Sequence, residues 1–385
     1  MLKKRIVQHL GMKRSNEDDD DDVIMLIHLE DLPDDVMGEI LLFTFPEVGI
    51  SYQMTRRAAK CRTVSLRMRK LIDLYLFTPV EELALDVLSC VDDEDLSLFC
   101  GLKKMSLRWS IAFTEKGLAK MTRLEELFIH EVQTSIFEGC RTLTNLQRLR
   151  ITVTRTPLNN QDWLAALTGL VELELNSVTG IDDEGIRQLP QLKSLILKKN
   201  RDIRGTCFVS LRRLEVLIIE SPFGEMEKSV FNDLSTSLRK LELKGKSGIA
   251  NETLAKMTSL RSLTLEEKTG VSDEGLITLT RLVQLSLVRD LKITGRGLSG
   301  LSRLTSLSLI HNKTITLDSL EPFKNSLKTL KLFKTLIDAG SLSGFPKLKT
   351  IQHEYNEDAA FPSFPGSTKI LFLWINPPWA PYQIV

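Results

Sequence analysis

Residues 260–281 read LRSLTLEEKTGVSDEGLITLTR, and the 22 residues that follow them read LVQLSLVRDLKITGRGLSGLSR. Both segments carry apolar residues at the same offsets. The first segment has Leu260, Leu263, Leu265, Val271, Leu276 and Leu279, and the second has Leu282, Leu285, Leu287, Ile293, Leu298 and Leu301. Two adjacent segments with one apolar pattern indicate a structural unit that is repeated along the chain.

The first Leu-type position of this unit recurs along most of the chain, in steps of 21 to 24 residues. A degenerate last copy starts near Thr368. The chain therefore holds about 13 or 14 repeats. The first positions are Val80, Leu102, Leu124, Leu146, Leu170, Leu192, Leu214, Leu238, Leu260, Leu282, Leu304, Leu327 and Leu348.

The head of the unit, L-x-x-L-x-L at this period, resembles the leucine-rich repeat, in which a short strand returns through a helical or 3₁₀ segment. No single unit can bury its apolar edge alone, so neighbouring units must stack into a solenoid with one continuous core. We therefore predict an α/β leucine-rich-repeat solenoid over residues 80–375. Its strands should form a parallel sheet on the concave side, with short helices on the convex side.

The two halves of the unit predict which residues point inward. A strand has a period of two, so Leu173 and Leu175 should face the core, while Glu172, Glu174 and Asn176 should face solvent. The returning half reads IDDEGI at 181–186, VSDEGL at 271–276 and FTEKGL at 113–118. Asp, Ser or Thr before an acidic first turn is typical of a helix N-terminus, so short helices should begin there.

The charge balance argues against a nucleic-acid ligand. The chain has 51 Lys and Arg against 50 Asp and Glu, so it lacks the dominant basic field that a phosphate-backbone binder needs. Proteins are the expected partners.

The cysteines and the absence of long apolar runs predict the compartment. The five cysteines include no CxxC pair and no cysteine-rich cap, which favours a reducing compartment. The sequence shows no secretory leader, and it contains no run of about 18 apolar residues that would cross a membrane. We expect a cytoplasmic protein, with the nucleus as the alternative.

Residues 1–27 predict a disordered charged tail. Two basic clusters, Lys3 to Arg5 and Lys13 with Arg14, precede the acidic run from Glu17 to Asp22, and a run of like charges stays solvated. The basic clusters are compatible with a nuclear-import signal or with a tail that only promotes solubility.

We predict that residues 29–76 form a small all-α module. Pro33 and the two acidic residues after it suit a first helical turn, and Val36, Ile40 and Phe43 recur at helical spacing. A second apolar stripe lies within residues 53–75.

This module resembles the F-box. The family pattern is a Leu-Pro-acid-acid opening, a Val and an Ile-Leu pair in the first helix, and a later Val-x-x-x-Trp-Arg-x-Leu-Ile. Met68 stands where the family usually has Trp, and the connection from Pro46 to Val64 is longer than usual. The matching residues are Leu32, Pro33, Val36, Ile40, Leu41, Val64, Arg69, Leu71 and Ile72.

An F-box followed by leucine-rich repeats implies the substrate-recognition adaptor of an SCF-type (Skp–cullin–F-box) ubiquitin ligase. In that family the F-box docks on a Skp-type linker protein bound to the cullin, the repeats hold the protein to be ubiquitinated, and the adaptor itself is not an enzyme. The residues expected to bind the linker are Leu32, Pro33, Val36, Ile40, Leu41, Val64, Met68 and Leu71. Two alternatives stay open: residues 29–76 only cap the solenoid, or the protein is a non-catalytic scaffold or inhibitor that acts without ubiquitin.

Outward-facing aromatic, isoleucine and basic residues mark the expected substrate surface on the concave strands. Such residues on a rigid sheet suit a protein-binding patch, although β-branched residues also favour strands for their own sake. The substrate-binding candidates are Trp109, Phe128, His130, Arg150, Ile196, Ile218, Lys331 and Phe333.

No motif in the sequence predicts a catalytic, cofactor or metal site. Residues 295–300 match GxGxxG, but Gly297 and Leu298 stand where Gly275 and Leu276 stand in the preceding unit, so we interpret them as a repeat turn. The histidines include no pair at metal-ligand spacing. Residues 376–385 form a Pro-rich C-terminal tail, which we expect to cap the last repeat or to fold back over the concave face.

Overall fold

A computed structural model of the protein describes residues 82–85, 92–97, 99, 101–108, 113–152, 157–158, 161–220, 226, 228–234, 237–245, 249–266, 269–289, 292–354 and 369–373. The predicted tail (1–27), the F-box-like segment (29–76), Trp109 and the C-terminal tail (376–385) lie outside these residues. The chain divides into two compact units between Leu149 and Arg150, and each is described by itself.

The first unit alternates short strands with short helical segments. Its strands are β1 (Glu82–Leu85), β2 (Lys104–Arg108) and β3 (Glu126–His130), and each pairs in parallel with the next. Between and after them lie α1 (Asp93–Leu96), α2 (Glu115–Leu118) and a 3₁₀ segment (Thr134–Thr142). Strand β4 (Arg148–Thr152) runs across the boundary between the units.

The described part of the second unit contains ten further strands, each parallel to the next along the chain. They are β5 (Glu172–Asn176), β6 (Ser194–Lys198), β7 (Val216–Glu220), β8 (Lys240–Lys244), β9 (Ser262–Glu266), β10 (Gln284–Val288), β11 (Ser306–Ile310), β12 (Thr329–Phe333), β13 (Thr350–Glu354) and β14 (Lys369–Leu373).

The returning segments of the second unit are of two kinds. The α-helices are α3 (Asp183–Arg187), α4 (Asn251–Lys256), α5 (Asp273–Leu276) and α6 (Gly295–Leu298). The 3₁₀ segments are Asp162–Ala166, Thr206–Ser210, Lys228–Leu234, Leu317–Phe323 and Ala339–Gly344. The N-terminal signals at Thr114, Asp182 and Ser272 do precede α-helices, as the sequence predicts.

The core is a ladder of leucines in register. Leu173 pairs with Leu195 on the next strand, and the series continues through Leu217, Leu241 and Leu263. Each of these side chains is at most 1% exposed. A fully buried Leu contributes about 1.5–3 kcal/mol relative to an exposed one, so the ladder is a main source of stability. The inward and outward positions predicted for β5 are confirmed, since Leu173 and Leu175 are buried and Glu172 is exposed.

Buried asparagines satisfy backbone groups, both between neighbouring repeats and within one repeat. The Asn200 amide donates to the carbonyl oxygen of Leu175 at 2.8 Å, and its side-chain oxygen accepts the Val178 N–H at 3.2 Å. Asn312, which is fully buried, accepts the N–H groups of Thr314 and Ile315. These hydrogen bonds offset the free-energy penalty of burying the two side-chain amides, and they fix the backbone of the residues that they contact.

The residue after a strand turns the chain through the left-handed region of φ. Among the described residues, six non-glycine residues have φ between 47° and 56° there. In the second unit, four of them donate their N–H to the last residue of the following strand; for example, Ser177 donates to the Lys198 oxygen at 2.8 Å. The six are Glu131, Ser177, Lys199, Arg289, His311 and Lys334.

Within each unit the described parallel strands alternate with short helical segments, and this is the architecture of leucine-rich repeats. Among the helices that the structure describes, none is long and apolar enough to cross a bilayer.

Candidate protein-binding surface

The side of the sheet that faces away from the leucine ladder is called the strand face. It is formed by the outward residues of each strand, which in β2 to β12 alternate with the buried ones and are partly or fully exposed. The repeat places one outward side chain between its two buried leucines, so the strand face carries one such central residue per strand.

In the first unit, Phe128 and His130 lie on the strand face of β3, two residues apart and both partly exposed. The His130 Nε2 lies 3.9 Å from Glu131 Oε1. Beside them Glu126 forms ion pairs with Lys104, at 3.6 Å, and with Arg148. The carboxylate is only 13% exposed, so the two cations hold it close to the sheet.

An apolar patch occupies the strand face of β6 and β7 in the second unit. Ile196 and Ile218 are register partners, and Val216 precedes Ile218 by two residues on the same face. All three are partly exposed. We call these three residues the isoleucine patch. It brings together two of the predicted substrate-binding residues, Ile196 and Ile218.

Paired charges border the isoleucine patch on the β5 side. Glu174, the register partner of Ile196, accepts from Arg150 Nε at 2.6 Å and from Lys198 Nζ at 2.9 Å. The Glu174 carboxylate is 13% exposed, whereas Arg150 is 53% exposed. The predicted binding residue Arg150 is therefore held by an internal ion pair, while much of its side chain remains available to a partner.

The β8 side of the patch is bordered in the same way. Glu242, the register partner of Ile218, lies 2.9 Å from Lys240 Nζ, and Glu220 lies 3.6 Å from Lys244 Nζ. An apolar centre with a charged border is the arrangement found in protein–protein interfaces, in which the centre is desolvated and the border stays wet. The pairing of these charges depends on strand register, so it could not be predicted from the sequence alone.

A second cluster lies on β10 to β12 and consists of Val288, Ile310, His311 and Phe333. Val288 pairs in register with Ile310, and Ile310 with Phe333. The His311 ring centroid is 5.5 Å from that of Phe333, tilted by 54°. Lys334 Nζ lies 5.9 Å from the same ring centroid, within the range of a cation–π interaction.

We call this cluster the phenylalanine patch. Lys331, also predicted as a binding residue, is two residues before Phe333 on the same face. Sequence reasoning missed Lys334 because it follows the strand. In the structure Lys334 has a left-handed φ of 47°, like the residues that follow several other strands.

The groups that could carry chemistry have packing roles. Cys140 and Cys207 are both fully buried, as expected for the convex half of the repeat. Residues 295–300, which match GxGxxG, contain the short helix α6. A Cβ atom at Gly297 would lie only 2.5 Å from Asp273 Oδ1 of the preceding repeat. The glycine is needed for close packing between repeats. In the described part of the chain, no three His, Cys, Asp or Glu side chains are grouped so as to hold a metal ion.

Solved structures with this fold are similar to the chain, although no family model and no curated protein matches its sequence. An internalin of Listeria monocytogenes str. 4b F2365 is 14% identical, with a TM-score of 0.56 over 89% of this chain and 95% of that one. A leucine-rich-repeat protein of Leptospira interrogans is 17% identical, with a TM-score of 0.46 over 73% and 80%. The mouse RP105/MD-1 complex gives 18% identity and a TM-score of 0.48 over 68% and 51%. The likeness to the internalin supports the leucine-rich-repeat fold.

Proposed function

We propose that this protein is the substrate-recognition adaptor of an SCF-type ubiquitin ligase. Its strand face binds the protein to be ubiquitinated, and residues 29–76 dock on a Skp-type linker that is bound to a cullin. The observation that carries the binding half of this proposal is the isoleucine patch, with ion pairs on both of its sides.

The isoleucine patch suits a protein partner for an energetic reason. Ile196 and Ile218 are only partly buried, so a partner that covers them removes further apolar surface from water. Complete burial of an aliphatic side chain is worth about 1.5–3 kcal/mol, and the remaining exposed part of two isoleucines offers a fraction of that each. Glu174 and Glu242 are already neutralised by neighbouring cations, so a partner need not supply a charge opposite each of them.

The phenylalanine patch offers a second contact area in the same unit. Phe333 combines apolar area with the adjacent ring of His311 and the ammonium of Lys334. Aromatic residues, including Phe, are enriched in the cores of protein interfaces.

The ligase half of the proposal rests on the sequence of residues 29–76. The Leu32-Pro33 opening, Ile40-Leu41 and the later Leu71-Ile72 match the F-box pattern, and leucine-rich repeats follow directly. An adaptor of this kind needs no catalytic group, because it accelerates ubiquitin transfer by holding the substrate near the conjugating enzyme. The partners of this proposal are therefore a Skp-type linker, a cullin and a substrate protein.

Two variants separate the two halves. We expect Pro33→Ala with Ile40→Asp to abolish co-purification with a Skp-type linker and a cullin from a eukaryotic extract. We expect Ile196→Lys with Ile218→Lys to retain the linker and the cullin but to lose substrate cross-links detected by mass spectrometry. Basic residues occupy the same central position at Arg150 and Lys331, and each new Lys lies beside Glu174 or Glu242, so the fold should tolerate the change.

The matched control is Thr264→Lys with Ser286→Lys, which adds the same charge at the central positions of β9 and β10. It should leave the linker, the cullin and the substrate cross-links unchanged. If the unaltered protein binds partners on its strand face but retains neither linker nor cullin, the scaffold or inhibitor alternative replaces the adaptor. If the isoleucine variant keeps every cross-link, the isoleucine patch is not the binding surface.

A further inference from the structure

The residues immediately before and after the first Leu of each repeat are unusually basic in the second unit. From Gln191 to Lys349, eight repeats supply sixteen such positions, of which nine are Lys or Arg and one, Glu215, is acidic. The whole chain has nearly equal numbers of basic and acidic residues, so its composition does not explain this excess. We call these positions the basic row.

The middle of the basic row lines an open groove of about 460 Å³. Five positive side chains and a single negative one, Glu215, border it, together with the hydroxyl groups of Ser237 and Ser259. The groove therefore carries a concentrated positive charge. The five basic residues are Lys193, Arg213, Arg239, Arg261 and Arg281.

Most of this charge is not neutralised within the protein. Glu215 pairs with Arg239 at 3.3 Å, and Arg213 donates to the amide oxygen of Gln191. Lys193, Arg261 and Arg281 are exposed and form no ion pair with another residue that the structure describes. Uncompensated like charges repel one another and cost stability, which indicates a binding role rather than a packing role.

The backbone fixes the spacing of these cations. The N–H of Glu215 donates to the Lys193 oxygen, that of Arg239 to the Glu215 oxygen and that of Arg261 to the Arg239 oxygen, each at 2.8 Å. Neighbouring strands lie about 4.8 Å apart, so the five repeats from Lys193 to Arg281 span about 19 Å. About six residues of extended polypeptide cover this length at roughly 3.3 Å per residue.

We propose that the groove binds an acidic segment of a partner protein, about six residues long and rich in Asp and Glu. An arginine guanidinium matches a carboxylate with two parallel hydrogen bonds, and the groove presents four arginines. The serine hydroxyls can donate to further carboxylate or carbonyl oxygens. This site lies beside the first Leu of each repeat and includes no residue of the isoleucine or phenylalanine patch, although Glu215 directly precedes Val216. The site does not depend on the ligase proposal.

The groove favours an acidic peptide over single-stranded nucleic acid. None of the sixteen positions of the basic row is aromatic, so the row offers no side chain on which bases could stack. The formal net charge of the chain is only +1, so the attraction is local and not spread over the molecule. The elongated row also suits an extended chain better than a compact anion.

Fluorescence anisotropy with the full chain tests the proposal. The probe is a fluorescein-labelled peptide with six alternating Glu and Asp residues between Gly-Ser ends. The comparison peptide has Gln and Asn at the same positions, and an oligothymidylate of equal length is the nucleic-acid arm. We expect the acidic peptide to bind at least about tenfold more tightly than the Gln/Asn peptide, with an affinity that falls as salt is added.

Charge-reversal variants locate the binding. Arg261→Glu with Arg281→Glu should weaken binding of the acidic peptide at least about tenfold. Arg261→Gln with Arg281→Gln removes the positive charges without adding negative ones, so it should weaken binding by about threefold. The control, Lys256→Glu with Arg296→Glu, changes the net charge equally at exposed helical positions and should change the affinity less than about twofold. Thermal unfolding of each variant shows whether it is folded.

Three results would overturn the proposal. The acidic peptide binds no better than the Gln/Asn peptide, the control variant weakens binding as much as the groove variants do, or the oligothymidylate binds more tightly than the acidic peptide. The neutral Gln variant keeps the test decisive if charge reversal prevents folding, because it creates no new negative charge.

Discussion

The Asp273 carboxylate accepts two hydrogen bonds from Thr294 of the next repeat, one from the backbone N–H at 2.7 Å and one from the hydroxyl at 2.6 Å. Thr294 is the N-cap of α6, and its hydroxyl oxygen accepts the N–H of Arg296. The first residue of one helix therefore orients the cap of the next helix. In the first unit, Asp93 and Thr114 repeat this arrangement, with both distances at 2.7 Å.

Removal of the Asp273 carboxylate should destabilise the second unit. We expect Asp273→Ala to lower the free energy of unfolding by about 1–2 kcal/mol, because two hydrogen bonds to the helix cap are lost. Asp273→Asn should cost less, because an Asn already occupies the equivalent position one repeat earlier. There Asn251 accepts the N–H of Ser272 at 2.9 Å and donates its amide N–H to the Ser272 hydroxyl at 2.8 Å. Urea unfolding measures both variants. A loss of less than about 0.5 kcal/mol for Asp273→Ala would show that the bonds to Thr294 contribute little. Equal losses for Ala and Asn would show that an amide cannot replace the carboxylate here.

The stability contributed by Asp182 should depend on pH. Its carboxylate accepts a hydrogen bond from the Gln161 amide, and this bond lowers the pKa of Asp182 below its ordinary value of 3.8. Partial burial opposes the shift, whereas hydrogen bonds from the N–H groups of Glu184 and Gly185 add to it. A lowered folded-state pKa means that the stabilisation is fully present above the unfolded-state pKa and disappears as the pH falls through the folded-state pKa.

We therefore expect the unaltered protein to be more stable than the Asp182→Asn variant near neutral pH. The difference should shrink as the pH falls below about 4. Urea unfolding at a series of pH values measures it. A difference that is constant from neutral pH to pH 2 would contradict the assigned cause.

Two glycines with left-handed φ separate backbone strain from steric overlap. Gly180 has φ +87°, and a Cβ there would lie 2.2 Å from the Leu158 carbonyl oxygen; Gly270 has φ +79° and open space around it. We expect Gly270→Ala to cost about 1–2 kcal/mol from strain alone. Gly180→Ala should cost roughly 3–5 kcal/mol, because overpacking against backbone is added. Chemical denaturation compares the pair, and similar costs would mean that the 157–158 segment moves aside.

The two buried thiols should be unreactive in the folded protein. Burial, with a further contribution from Glu138, raises the pKa of Cys140 to about 12. Burial and the nearby Asp183 raise the pKa of Cys207 as well. Since the thiolate is the reactive form, alkylation by iodoacetamide at pH 8 should be at least about a hundredfold slower at both sites in native protein than in urea.

Mass spectrometry that resolves each cysteine measures this difference. Rapid native labelling at Cys207, with Cys140 protected, would reveal local opening of the 3₁₀ segment that contains Cys207. Rapid labelling at both sites would contradict the burial of the convex half.

The strands and the core could be predicted because their signal is local. Leu195 and Leu197 repeat the spacing of Leu173 and Leu175, and burial of all four follows from the alternation along a strand. The choice between α-helix and 3₁₀ segment was less evident. Gln133, Gln161 and Gly205 precede 3₁₀ segments and make no side-chain cap bond, but Ala250 also makes none and precedes an α-helix. Thr316 and Asp338 are good capping residues and nevertheless precede 3₁₀ segments, so the cap residue alone does not decide between the two kinds of segment.

The binding surface was predictable only in part, because its contacts join residues that are far apart in sequence. Ile196 and Ile218 could be assigned to the strand face, but the bond between Arg150 and Glu174 requires the register of β4 and β5. The basic row was missed altogether because it contributes only one or two residues to each repeat. Its cations come together only when repeats stack.

The predicted F-box-like module is a separate case, because residues 29–76 lie outside the described part of the chain.

The left-handed corner that follows several of the strands has a consequence for how such a chain evolves. Ser177, Lys199, Arg289 and His311 each bond to a neighbouring repeat through the same backbone atoms. A tandem gene duplication that inserts one whole unit therefore supplies a new donor together with a new acceptor. Binding surface can be gained or lost by whole repeats, while the junctions at such corners keep the same hydrogen-bonding pattern.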